Sequence, residues 1–530
     1  MTRMATTLIL VGLCGCGPAP TTSNVPLYQN LGTFSVPIST SVEAAQRYFD
    51  QGMRLVYAFN HAEAIRAFDE AARLDPKCAI CHWGAALALG PNINAPMDSA
   101  SGVAAWQAVE RARAQLDHAS PRERALIEAL ATRYPALPPP NRASFDSAYA
   151  TAMGEVVRQF PDDREAATLW AEALMDLRPW DYWSGVGAPR PGTETIAAQL
   201  ERVLIADSTH PGACHYYIHL YEATEPAKAL PCAERLAAEM PGAGHLVHMP
   251  AHIYVRVGRY AEAIEHNEHA THADSSFAAS ERVSPAYATI YVPHNYHFLG
   301  FAAMLAGRED VAIRAARRTV ETMPPDGAAA IPEFQPLLAF QHLMLQKFGA
   351  WDSLAALPLP DSTLGVGRAV AEYARGTALA ALGRYDEAEA LLAAIGRRDD
   401  PAWTPIARNI VAVARHSLAG EIAARRRDWR GAERHFKEAL AIEDSFTYME
   451  PPWWIEPVRH PLGAMLLAAG RTAEAEAVFR ADLDKFPKNV WSLAGLAASL
   501  AKQGKTDAAV TEALAEATRV AGRTITTAHP

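Results

Sequence analysis

The stretch HPGACHYYIHLYE, residues 210–222, holds three histidines, three tyrosines, a cysteine and a closing glutamate in thirteen positions. His215 and His219 are four apart. On a helix that spacing puts both on one face, about 6 Å from each other, where two imidazoles can reach one metal ion. His248 and His252 repeat the spacing, and His294 and His297 follow. Eleven of the nineteen histidines fall between His210 and His297. Glu222 lies three after His219 and could be a ligand, a base or a partner to a ligand. The opposing reading is structural. A buried histidine bonded to a tyrosine or a backbone carbonyl fills space between helices, and Tyr216, Tyr217, Tyr221, Tyr254, Tyr291 and Tyr296 supply such partners. His210, His266, His269 and His272 are assigned no function, the last three because they fall on a solvent-facing second helix.

A second motif is KCAICHW, residues 77–83. Cys78, Cys81 and His82 have the CxxCH spacing of c-type haem attachment, in which two thiols bond the vinyl groups and the histidine binds iron. Met97 or the histidine set could supply a sixth ligand. The alternatives are a Cys78–Cys81 disulfide at a helix start, free thiols, or a metal. Cys214 and Cys232 bracket one hairpin and form a second candidate disulfide, marginal in spacing. The loops GPNINAPMD (90–98) and EPPWW (450–454) are stiff and polar or aromatic. Trp180, Trp183, Trp453 and Trp454 could line a groove or cap helices in the core. A glycine-rich phosphate loop, an HExxH helix and a GxSxG elbow are all missing from the sequence.

These residues need elements to position them. Six segments read alike: FNHAEAIRAF at 59, GRYAEAIEHN at 258, GRYDEAEALL at 383, RDWRGAERHF at 427, GRTAEAEAVF at 470 and GKTDAAVTEA at 504. The last four starts are 44, 43 and 34 residues apart. Each is a polar or glycine turn entering an alanine-rich helix, with another helical run upstream. No strand pattern is present. The chain HAEAIRAFDEAARLDP (61–76), with its closing proline, and VWSLAGLAASLAKQGKTDAAV (490–510) resemble the tetratricopeptide repeat (TPR). The resemblance implies an all-α, TPR-like α-solenoid, a right-handed superhelix of helix-turn-helix repeats whose first helices line an inner wall. LRPWDYW, GAGHLVHMPAHIYVRVGRY (242–260), YVPHNYHFLGFAAMLAGR (291–308) and YMEPPWW add a resemblance to bacterial TPR proteins, and partly to the tetratricopeptide protein 38 type. That implies a fold and no activity.

Counting back from the closing turns at Thr224, Gly258 and Gly307 sets His215, His248 and His297 in one layer, with His219 and His252 a turn below and His294 beside them. Pro250 disfavours helix at Met249, which predicts His252 in an opening turn and His248 just outside it. The candidate metal residues are therefore His215, His219, His248, His252, His294 and His297, for zinc or a similar divalent ion.

The remaining expectations come from the ends and the bulk. MTRMATTLILVGLCGC carries one early charge and a short apolar run, which reads as a signal segment. Its LCGC resembles a lipoprotein cleavage box, implying removal of residues 1–15 and a lipid on Cys16. Residues 16–40 then form a flexible tether, 41–116 TPR-like repeats, 117–360 degenerate histidine-rich repeats and 361–525 C-terminal TPR repeats. The resemblance implies a bacterial envelope protein, held at the outer membrane and facing the periplasm. A net charge of −10 offers no basic field for nucleic acid. Three functions remain open: a scaffold gripping a protein or peptide on its concave face, a metal-dependent enzyme using the inner histidines, and a c-type haem protein.

Overall fold

Glycine and phenylalanine spacing decides how the helices of this chain meet. The computed structural model describes residues 25–185, 187–280 and 283–530. The leader, Cys16 and the first part of the tether lie outside the described residues. Among the described residues the structure is helical, with two isolated β-bridges and no strand, and no helix is long and apolar enough to cross a membrane.

In the Glu43–Tyr57 and His61–Leu74 pair, Gly52 receives the ring of Phe68, and a Cβ there would sit 2.5 Å from that ring. The same ring fills the space beside Gly84 on the next helix, Ala79–Ala88. Phe479 does likewise between Gly463 and Gly495, and Phe436 meets Gly420. Every one of these glycines is sixteen residues from its phenylalanine. A residue without a side chain on one helix thus lets a large ring on the neighbour bind two units together. Among the described residues nearly all consecutive helices pack on each other, an all-α, TPR-like solenoid. Gly258, Gly383 and Gly470 close their hairpins with φ of 74°, 77° and 80°, the left-handed conformation that glycine adopts without penalty. We expect Phe479→Ala to cost roughly 3–5 kcal/mol. Native-state hydrogen exchange checks it: protection should fall over the helices Arg459–Ala468 to Val490–Lys502 and hold in Glu43–Tyr57.

Two departures from the sequence reading have physical causes. Residues 25–40 are a packed strap, so the flexible tether expected over 16–40 does not extend through them. Leu31 and Val36 are buried. The backbone N–H groups of Tyr28, Val36 and Ser39 donate to Gln51, Asp50 and Glu123, so side chains on helices satisfy an extended segment that pairs with no strand. The second departure concerns the inner wall. The C-terminal repeats fold back onto the middle ones: Trp491 Nε1 donates to Met304 O at 2.7 Å, Tyr260 OH to Pro487 O at 2.8 Å and Arg256 Nη1 to Lys485 O at 3.1 Å. The histidine-bearing helices therefore face an interior, not an open concave groove.

Glu443, where the Trp429–Glu443 helix ends, is buried and accepts from Val458 N–H. Burial pushes its carboxyl up to about 7, against the nearby Lys485 charge. A folded value above the unfolded one means the favourable contribution is complete below the unfolded pKa and is lost as pH rises through about 7. Glu443→Gln keeps an acceptor for Val458. It should be more stable than the native chain at pH 8 by roughly 3 kcal/mol and equal to it near pH 4, read as the pH dependence of the urea midpoint.

Candidate metal centre

The Pro211–Tyr221 helix begins with proline in its first turn, and His210 caps it, with Nδ1 accepting from Ala213 N–H. His210 Nε2 meets Glu165 at 2.7 Å, and Tyr57 OH donates to the other oxygen of that carboxylate. This explains a buried His210 structurally. His215 and His219 follow on the inner face, and Glu222 is the C-cap.

Pro250 does not break the next segment. Met249 holds φ −51° and ψ −37°, so Gly244–His248 runs into Pro250–Arg256 with helical backbone throughout. This corrects the placement of His248 outside the helix. The proline costs one helical hydrogen bond, since Pro250 has no N–H to give to the carbonyl of Leu246. The continuous helix puts His245, His248 and His252 on one side, and His245 is a member the sequence reading missed. His294 comes from the 22-residue helix Pro285–Ala306.

The rings form two groups. His215 Nε2 is 3.1 Å from both His219 Nε2 and His245 Nε2. His248 Nε2 is 2.8 Å from His252 Nε2 and 3.0 Å from His294 Nε2. The layer of His215, His248 and His297 is not formed. His297 stands outside both groups, with its ring 4.6 Å from that of Phe340. His294 and His297 lie within about 60° of each other around the helix, but the His294 ring meets His248 whereas the His297 ring packs on Phe340.

The outer nitrogens decide the chemistry. His215 Nδ1 donates to Tyr57 O at 2.7 Å and His219 Nδ1 to Glu222 Oε1 at 2.8 Å. His248 Nδ1 donates to Asn267 Oδ1 at 2.7 Å. The orientation of that amide is fixed because Asn267 Nδ2 donates to Ala263 O. His252 Nδ1 lies 2.5 Å from Glu222 Oε2, an ion-pair approach with the N–H off the line of a hydrogen bond. Each of these partners only accepts, so each Nδ1 carries the proton and each Nε2 presents a lone pair. Lone pairs then face each other at 2.8–3.1 Å, which is repulsive unless a cation lies between them. Burial, followed by the neighbouring imidazoles, drives His215, His245, His248 and His294 well below the ordinary histidine value. A tetrahedral ion with bonds of ~2.0–2.1 Å holds its nitrogens ~3.3–3.4 Å apart. An opening of a few tenths of an ångström reaches that geometry.

Glu222 ties the groups together, one oxygen to each. It is fully buried. Burial opposes its ionisation, but His252 and His219 outweigh burial and draw it down to about 2. Phe59 closes the site from behind. It holds φ 55°, in a turn position where related hairpins carry glycine, and its ring lies 4.5 Å from that of His215 and 5.3 Å from that of His245. A bulky residue in this region is strained.

His219 and His245 of one group, and His252 and His294 of the other, line a single cavity of about 190 Å³. His215 and His248 stand behind them, fully buried. His297 is on the cavity wall too, as are Asn94, Trp180, Glu450 and Trp453, so the two stiff loops singled out in the sequence both reach it. Trp180 Nε1 donates to Ile93 O, and Trp183 Nε1 to Leu220 O. Trp454 is core, against Tyr373. Of the unassigned histidines, His269 and His272 are exposed, whereas His266 is half-buried with Nδ1 on Val247 O.

Cys78 and Cys81 are buried with sulfurs 2.00 Å apart, and those of Cys214 and Cys232 are 2.19 Å apart. Both pairs are disulfides. A c-type haem needs both Cys78 and Cys81 sulfurs as thioethers and a slot beside His82. The neighbouring helix face at Gly84 is filled by Phe68, so these residues do not fit that group.

No family model matches the chain, and no curated protein matches it. Solved structures of similar trace include the human IFIT1 dimer with m7Gppp-AAAA (12% identity, 92% of each chain, TM-score 0.35). Yeast Tom70 aligns at 11% identity over 89% of this chain and 92% of its own, with a TM-score of 0.30. The P58(IPK) TPR domain aligns at 12% over 90% and 98%, with a TM-score of 0.24.

Proposed function

We propose that this chain is a metalloprotein whose two three-histidine centres open onto one cavity and act there on a small molecule. The observation that carries the reading is the convergence of Nε2 atoms, with acceptor groups beside the Nδ1 of His215, His219, His248 and His252. Hydrogen bonding of the outer nitrogen is how proteins orient a metal-binding imidazole. Three protein ligands with a free position facing a cavity is the pattern of catalytic sites, whereas structural zinc sites are closed by four. An all-imidazole donor set suits zinc or copper and disfavours magnesium and calcium. Elemental analysis of tag-free protein tests the reading. We expect about two transition-metal ions per chain; a metal-to-chain ratio near zero after purification without chelators, and again after reloading with zinc, overturns it.

Two further proposals accompany it. The LCGC sequence supports anchoring through Cys16 at the envelope, and a two-disulfide chain suits an oxidising compartment. The repeat build supports a protein or peptide partner, placed on the outer faces because the histidine wall is covered by the C-terminal repeats.

A further inference from the structure

The two centres share more than a carboxylate: their open positions face the same small space. Its lining combines the imidazoles with apolar side chains, among them Trp453, Ile455, Phe334, Leu337, Met449 and Pro452. Charge can be counted without reference to titration. Neutral imidazoles add none when Nε2 binds an ion. Two divalent ions would bring four positive charges; Glu222, tied to the histidines, and Glu333 and Glu450, on the cavity wall, return at most three. A buried surplus of that size is costly unless an anion joins it.

We propose that the paired centres take a single small monoanion with an oxygen donor and an apolar body, its oxygen toward the ions and its body against Trp453. The proposal rests on the two-centre reading and adds the ligand class. Trp453 Nε1 and Glu450 Oε2 are both buried without a hydrogen-bond partner and lie on the cavity wall. Buried polar atoms of this kind usually have a partner, which marks this part of the wall as a place where a bound molecule sits.

Benzoate is the test probe, with acetate and benzamide as controls, titrated calorimetrically into full-length protein whose zinc content is measured on the same sample. On protein holding both ions, benzoate should bind at least about tenfold more tightly than on chelator-stripped protein. It should also bind more tightly than acetate, which lacks the ring, and than benzamide, which lacks the charge. Trp453→Ala should weaken benzoate about tenfold while leaving acetate and the ion count unchanged. Trp453→Phe, which keeps an apolar wall, should recover most of the affinity. A chain that holds both ions yet binds benzoate no better than stripped protein, or no better than acetate, overturns the ligand class and leaves the metal reading standing. A chain that holds no ions overturns both, and the zinc measurement separates the two failures.

Discussion

Replacing His215 and His248 together by alanine should remove both ions, while each replacement alone should remove one. These two residues are the inner members of their groups. Nε2 of His215 is the atom that both His219 and His245 approach, and Nε2 of His248 is the atom that both His252 and His294 approach. Without the inner ring, each group retains two imidazoles on opposite sides of a gap, too few for a tight site in a buried, apolar setting. The expected readout is a metal-to-chain ratio falling from about two to about one in either single variant and to near zero in the double. The loss should appear in stability as well. An ion bound only by the folded chain contributes RT ln(1 + [L]/Kd), about 4 kcal/mol at a thousandfold excess over Kd. Added zinc should therefore raise the melting temperature of the native protein and leave that of the double variant unmoved. His297→Ala is the discriminating control, because His297 lies on the cavity wall outside both groups. Loss of an ion in that variant, or full metal in the double variant, contradicts the assignment.

The sequence carried the helix-turn-helix build clearly, since turn glycines and alanine-rich helices are local signals. It carried five of the six grouped histidines through two HxxxH pairs and His294. It did not carry His245, although His245, His248 and His252 follow the i, i+3, i+7 pattern of one helical face. The obstacle was Pro250, read as a break when its position at the start of a turn leaves the backbone helical. His297 was misassigned for a different reason. Counting from closing turns fixes height along a helix but not which rings a side chain meets, and His294 meets His248 while His297 packs on Phe340. The closure of the wall by the C-terminal repeats was beyond reach, because contacts such as Trp491 to Met304 join residues 187 positions apart and leave no periodic trace. The pairing of Glu222 with two separate histidines was invisible for the same reason: only His219 is its neighbour in sequence.

That pairing makes Glu222 the position where a one-atom change should have the largest effect short of removing a ligand. Glu222 caps the C-terminal end of the Pro211–Tyr221 helix, where the helix dipole disfavours negative charge, and it is fully buried. Both conditions argue against a carboxylate, so something cationic must hold it; among the described residues its side-chain partners are His219, His252 and the Tyr448 hydroxyl. A metal ion on the far nitrogen of each ring supplies that positive character through the imidazole. Glu222→Gln preserves size and offers one oxygen and one NH2. The oxygen can accept from one histidine. The NH2 faces the other Nδ1, which must then lose its proton to accept, moving the hydrogen to Nε2 and blocking the ion there. We therefore expect an asymmetric result: one site weakened by about 10–100-fold, as for other outer-shell partners, and the second weakened less. Metal-affinity titration against a competing chelator would show two separated steps where the native protein shows steps close together. Glu222→Asp keeps both acceptors but shortens the reach, so it should weaken both sites alike. If Glu222→Gln instead binds both ions with native affinity, the carboxylate is only a helix cap, and the two histidine groups are independent.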